Sequence, residues 1–113
     1  MTAIKVPTEH EEQRAFVMWF RQNHKPVRIF AVPNGGRRSL NEATRLKAEG
    51  VSAGVPDLYI PEWNMWIEMK RQKGGALSEE QKDWRDYLLS IGHKWHVTKG
   101  AAEAIKTITE YLK

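Results

Sequence analysis

The feature that most constrains the fold is a hairpin-like stretch near the middle of the chain that places three charged residues among apolar ones. Residues 57–60 (DLYI) and Met65–Lys70 (MWIEMK) have the composition of strands, and the intervening PEWN is a turn signal. Because successive side chains of a strand point to opposite faces, Asp57, Glu68 and Lys70 are predicted to share one face. Charge is costly to bury unless it is paired or binds metal. The hairpin therefore predicts either a functional site or a salt-bridged patch on a sheet edge.

The residues on both sides of the hairpin predict an α/β domain with a mixed sheet flanked by helices. Thr8, Ser39 and Ser78 can cap helices, and Gly50 and Gly92 can end them. The predicted order of elements is α-β-α-β-β-α-β-α. The helices are predicted at 9–24, 39–49, 78–90 and 101–112, and the strands at 27–32, 57–60, 65–70 and 94–98.

The first predicted helix carries carboxylates along its apolar stripe. At about 100° per residue, Phe16, Trp19 and Phe20 share one face of the helix. Glu9 and Glu12 project onto the same face, one or two turns nearer the N-terminus. Polar groups at the end of a core-facing stripe indicate either a wet rim or a site.

Length and composition limit the classes of protein that fit. A chain of 113 residues is predicted to be a single domain over 1–113. It has no apolar run near the ~20 residues that span a bilayer and no apolar leader, so we expect no membrane contact and a cytoplasmic location. The absence of Cys excludes disulfides, Cys-based zinc sites and thiol catalysis.

The positive charge is concentrated in one quarter of the chain. The net charge is +4, and residues 25–50 hold six basic side chains against two acidic ones. Such a local excess suits a polyanion such as DNA or RNA, although an ordinary solvated face has the same composition.

Two carboxylates beside a lysine suggest a particular chemistry. A hard divalent cation between Asp57 and Glu68 would make their burial tolerable, and Lys70 would balance the remaining charge. Such a group could hydrolyse a phosphodiester, because the cation polarises the phosphate and acidifies water. The bare pattern D…ExK is common by chance, so it carries weight only with the motifs around it.

Those motifs resemble a known family. Pro56-Asp57, the spacing of 11 residues to Glu68 and the E-x-K triplet match the PD-(D/E)xK nuclease superfamily. Over roughly residues 9–112 the chain resembles one branch of it, the VRR-NUC (virus-type replication-repair nuclease) domain in its stand-alone phage-type form. The matching stretches are Glu9-x-x-x-Gln13, PNGGRRS (33–39), RLKAEGV to GVPDL (45–58), WIEMK (66–70), LSEEQ to W (77–84) and Gly92.

The resemblance implies a restriction-endonuclease-like core and a set of site residues. Asp57, Glu68 and the backbone carbonyl of Met69 would hold Mg²⁺ or Mn²⁺, and Lys70 would be the catalytic lysine. A glutamate of the first helix commonly completes such a site. Glu9 fits the E-x-x-x-Q pattern better, whereas Glu12 is closer to the apolar body of the helix. Gln81 would line the site, although it can equally be just the capping-box partner of Ser78.

The same resemblance implies a substrate and an assembly. We expect a Mg²⁺/Mn²⁺-dependent DNA endonuclease that cuts Holliday junctions or other branched DNA as a homodimer. The alternatives are a nuclease that nicks or cuts flaps and linear duplex, a catalytically silent nucleic-acid-binding module, and a small phage accessory protein whose basic segment binds a protein partner. The expected DNA contacts, in and after a glycine turn, are Asn34, Arg37, Arg38, Arg45 and Lys47.

Overall fold

The elements follow one another in the predicted order. A computed structural model describes residues 5–33 and 39–113, and within these ranges the order α-β-α-β-β-α-β-α is confirmed. Most elements end within two residues of their predicted bounds. The helices are α1 (Glu9–Asn23), α2 (Leu40–Ala48), α3 (Glu79–Ser90) and α4 (Ala101–Tyr111), and the strands are β1 (Phe30–Ala31), β2 (Leu58–Ile60), β3 (Met65–Lys70) and β4 (Lys94–Lys99).

The sheet is mixed, as predicted, with the strand order β1-β2-β3-β4. β2 is antiparallel to both β1 and β3, whereas β3 and β4 are parallel. A parallel pair needs a crossover connection, which α3 provides between β3 and β4. The predicted hairpin therefore supplies the two interior strands of the sheet, and both of its faces can be covered.

Two strands are shorter than predicted. β2 begins one residue late, because the Asp57 side chain takes a ladder position: its Oδ2 accepts a hydrogen bond from the backbone N–H of Met69 at 2.7 Å. The strand predicted at 27–32 contains two ladder residues. Its first residues turn instead, since the backbone N–H of Val27 donates to the carbonyl of His24 at 2.8 Å.

The two faces of the sheet differ in chemistry. One face packs against α1 and α4 and is apolar, while Glu68 and Lys70 point to the opposite face, where α3 begins. This division follows from the alternation of side chains along β3. The fully buried apolar residues of the core are Phe16, Phe20, Leu58, Ile60, Met65, Ile67, Met69, Ala104 and Ile108.

The predicted helix caps are present. Thr8, Ser39 and Ser78 each accept a hydrogen bond through the side-chain oxygen from a backbone N–H three residues later, at 3.1 Å in all three cases. These bonds satisfy amides that the helix itself leaves without a partner. Within the described residues, none of the helices is long and apolar enough to cross a membrane.

Gly54 fixes the loop before β2 against the first turn of α3. Its φ is +89°, and a Cβ there would lie 2.5 Å from the backbone of Glu80 and 2.8 Å from the backbone nitrogen of Gln81. Gly50 has a similar φ of +105°, but a Cβ at that position would meet no atom of the described residues within 4 Å. A comparison of replacements at these two glycines therefore separates the free-energy cost of a left-handed backbone conformation from the cost of steric overlap.

Gly54→Ala is expected to destabilise the protein more than Gly50→Ala. Both replacements force a side chain into a left-handed conformation, at about 1–2 kcal/mol. Gly54→Ala adds overlap with helix backbone, typically a further ~1–3 kcal/mol. Urea unfolding of both variants beside the wild type measures the difference. Equal losses would show that the loop separates from α3 without cost.

Candidate functional site

Two carboxylates face each other where the hairpin strands end. The register pairs Leu58 with Ile67, which puts Asp57 opposite Glu68. Glu68 is 2% exposed and Lys70, on the same face, is 7% exposed. Burial, together with the hydrogen bond and the negative charge of Asp57, raises the pKa of Glu68 to about 9. Without a cation, the pair therefore keeps a proton at neutral pH.

The amide of Gln81 connects this carboxylate pair to the lysine. Its Oε1 accepts hydrogen bonds from Lys70 Nζ at 3.0 Å and from the backbone N–H of Ser78 at 2.9 Å, and its Nε2 donates to Glu68 Oε2 at 3.3 Å. The sequence left open whether Gln81 lines the site or caps the helix. The structure gives one side chain both contacts, so the first turn of α3 is joined directly to β3.

The two glutamates of α1 are directed to different places. Glu9 is half-buried, and its pKa is raised mainly by that burial and then by the negative charge of Asp57, while the charge of Lys70 acts in the opposite direction. Glu9 therefore lies within the electrostatic field of the carboxylate pair. Glu12 is 6% exposed and accepts hydrogen bonds from the backbone N–H of Ala101 at 3.0 Å and from Gln72 Nε2 at 2.7 Å. Its carboxylate caps α4.

The donor set fits a hard divalent cation. Glu68 Oε1 is buried and has no hydrogen-bond partner among the described residues. A buried oxygen without a partner is unfavourable unless it binds a cation or a donor. Within residues 5–33 and 39–113, no group of three or more acidic or histidine side chains is arranged to hold a metal ion. A cation here would rest on Asp57, Glu68, the Met69 carbonyl and water, and Mg²⁺ commonly keeps several waters.

Among the described residues, none of the predicted DNA contacts is found in contact with the Asp57–Glu68 pair. Asn34, Arg37 and Arg38 lie outside those residues. Arg45 and Lys47 are exposed on α2, and Arg45 Nη1 lies 3.2 Å from Glu49 Oε2 in a salt bridge. Their assignment to a DNA-binding track stays a prediction.

A basic surface that the sequence reading did not single out lies on the outer side of α1. Two adjoining grooves, of about 390 and 530 Å³, share Arg21 and Lys25, and they also contain Arg14 and Arg28. Among the residues that the structure describes, no acidic side chain lines either groove. The sequence does contain a signal for this surface: Arg14 and Arg21 are seven residues apart and lie on the face of α1 opposite its apolar stripe.

The fold is shared with a solved structure. No protein-family model matches the chain, and no curated protein matches it. A solved structure described as a VRR_NUC domain protein is similar, with a TM-score of 0.80 and 28% sequence identity, over 96% of this chain and 91% of that chain. The mixed α/β fold class is thereby confirmed. The match also confirms the VRR-NUC resemblance that the sequence motifs predicted: the chain has the fold of a VRR-NUC domain.

The metal-free protein is expected to become less stable as the pH rises. The ordinary pKa of a glutamate is 4.5, and the fold raises that of Glu68 to about 9. Above the lower value the unfolded chain releases this proton while the folded chain keeps it. The stabilisation is thus complete below the lower pKa and is lost as the pH rises toward the higher one.

Thermal unfolding in EDTA between about pH 5 and pH 9 measures this loss. Glu68→Gln stays neutral throughout, so its melting temperature should fall less with pH than that of the wild type. Parallel curves for the two proteins would contradict a protonated Glu68 in the fold.

Proposed function

We propose that this chain is a Mg²⁺- or Mn²⁺-dependent DNA endonuclease that hydrolyses phosphodiester bonds. The observation that carries the proposal is the buried carboxylate of Glu68, which lies opposite the half-buried Asp57 and beside the buried Lys70. One Glu68 oxygen has no hydrogen-bond partner among the described residues. The similarity to a solved structure named a VRR_NUC domain protein supports a nuclease-type domain. Asp57, Glu68 and the Met69 carbonyl would hold the cation.

The chain's own residues divide the work around the cleaved bond. A bound divalent cation supplies Lewis acidity to the phosphate and acidifies a water molecule. Lys70 orients the attacking water or stabilises the developing negative charge, and Gln81 fixes its ammonium group at 3.0 Å. Glu9 adds a third negative charge at the edge of the pair and is our choice over Glu12 for the glutamate that completes the site.

For the substrate, we propose branched DNA, with the four-way junction as the leading form. The positive charge of residues 25–50 supports a DNA partner. The grooves of Arg14, Arg21, Lys25 and Arg28 support contact with phosphates away from the cleaved bond, because the described part of their lining holds basic side chains and no carboxylate. One such chain cuts one strand at a time, so symmetric cutting of a junction requires a homodimer.

Cleavage assays test the proposed site and the substrate together. A four-way junction, a linear duplex and splayed-arm DNA are each incubated with Mg²⁺, Mn²⁺ or EDTA. Asp57→Asn and Glu68→Gln should abolish cleavage, and Lys70→Ala should reduce it on the order of 100-fold or more. Glu62→Gln, which alters an exposed carboxylate in the hairpin turn, is the matched control and should cut normally.

The pattern of products separates the alternatives. Paired symmetric cuts in the junction, with a solution mass twice the chain's 13.1 kDa, would support the dimeric resolvase. Cuts confined to flaps or linear duplex would keep the metal site and remove the junction preference. DNA binding without cleavage in any metal would favour a silent binding module, and activity in all three site variants would exclude the proposed site.

Binding of Mg²⁺ should release a proton and strengthen with pH. Glu68 must lose its proton to bind a cation, and its pKa without metal is about 9. Calorimetric titration in buffers of different ionisation enthalpy measures the number of protons released. The wild type should release close to one proton per cation at neutral pH. A binding enthalpy that does not depend on the buffer would contradict a role for Glu68 as ligand. Glu62→Gln is again the control and should behave as the wild type.

A further inference from the structure

A cavity of about 470 Å³ lies beside the carboxylate pair, on the same side of the sheet. Its lining includes the two half-buried tryptophans Trp66 on β3 and Trp84 on α3. The loop that follows α2 closes the other side with Val51 and Ser52, and Glu49 adds a carboxylate at the edge. The volume is in the range of small-molecule sites, and the lining is mainly apolar, with two tryptophans and two polar side chains among valines, a proline and a glycine.

The cavity and the candidate active site share two structural elements. Trp66 precedes Glu68 by two residues on the same face of β3, a distance of roughly 7 Å along the strand. Trp84 follows Gln81 by three residues on α3, which places it about one turn, roughly 5 Å, farther along the same side of the helix. A group between the two indoles would therefore lie one nucleotide or less from a phosphate at the carboxylate pair.

The walls are fixed before any ligand binds. The ring of Trp66 lies 4.2 Å from that of Tyr59, centre to centre, and its Nε1 donates a hydrogen bond to His93 Nδ1 at 2.9 Å. Gly54 packs against the backbone of Glu80 and Gln81, so the loop is held to the helix turn that carries the site glutamine. The cavity is thus preorganised relative to Glu68, which reduces the entropy lost on binding.

We propose that this cavity binds an unpaired nucleobase of the DNA strand next to the bond that is cut, an inference that rests on the proposed nuclease function. Indole faces stack on any base, because every base presents a π-face. Ser52 and Glu49 offer hydrogen-bond partners to the base edge. A base inside an intact duplex cannot enter such a cavity without leaving the stack. The substrate class is therefore DNA with an unpaired nucleotide adjacent to the cleaved bond. A four-way junction, whose bases are all paired, would belong to this class only if one base at the branch point left its stack.

Trp84→Ala is the principal test. Splayed-arm DNA carries 2-aminopurine at the first unpaired position, and the wild type is added in EDTA, so that binding is read without cleavage. Stacking between indoles should quench the fluorescence, Trp84→Ala should abolish the quench, and Trp84→Phe should retain most of it. Tyr111→Ala removes an exposed aromatic residue of α4 that does not line the cavity, and it should leave the quench intact.

Cleavage gives a second and independent readout. With metal, Trp84→Ala should cut splayed-arm DNA about 5- to 150-fold more slowly, the range expected for one lost base stack. An abasic residue at the same nucleotide should slow the wild type by a similar factor, and Trp84→Ala should then add no further loss. Ser52→Trp fills the cavity while it keeps both indoles, and it should slow cleavage and abolish the quench as well. This second variant therefore tests the inference even if Trp84→Ala does not fold.

The outcomes distinguish failure of the inference from failure of the proposed function. If the wild type cuts DNA but neither the abasic residue nor Ser52→Trp alters the rate or the quench, the base-binding cavity is wrong and the nuclease stands. If Trp84→Ala loses cleavage while the abasic residue has no effect, the cavity holds something other than a base. If no DNA is cut in any metal, the proposed function fails, and the fluorescence quench still decides whether a base enters.

Discussion

The buried carboxylate of Glu68, opposite Asp57, is the interaction on which the rest of this structure depends. A charged pair at this depth is unfavourable without compensation, and the fold compensates in three ways. The backbone N–H of Met69 binds Asp57, the Gln81 amide binds Glu68, and a retained proton removes one charge. None of the three gives Glu68 Oε1 a hydrogen-bond partner among the described residues, and this is the oxygen to which the proposed cation would bind.

The first turn of α3 both caps the helix and holds two side chains of the candidate site. Gln81 closes the capping box with Ser78 and, with the same amide, holds Lys70 and Glu68. Gly54 lets the loop before β2 touch the backbone of that turn. A change in any of these contacts would move the lysine relative to the carboxylates. The stability of the helix start and the geometry of the site are consequently one property of the molecule.

Local patterns predicted the hairpin, the helix starts and the shared face of Asp57, Glu68 and Lys70, because alternation and capping involve residues close in sequence. The choice between Glu9 and Glu12 could not be made this way. Both glutamates project onto the apolar stripe of α1. Their roles differ because the backbone N–H of Ala101, 89 residues along the chain, donates a hydrogen bond to Glu12. The short length of β1 and the presence of Trp66 and Trp84 in the lining of one cavity likewise depend on tertiary packing.

The proposed reading of DNA by this domain is structural rather than sequence-specific. Base stacking tolerates any base, and contacts to phosphate carry no sequence information, so neither the indole cavity nor the basic grooves selects a sequence. The grooves reach Arg21, twelve residues and about 18 Å along α1 from Glu9. A single straight duplex that fills the carboxylate site presents neither an unpaired base nor a second arm. Splayed or flapped DNA would present both, whereas a four-way junction presents further arms but would have to unpair one base at the branch point to fill the proposed cavity.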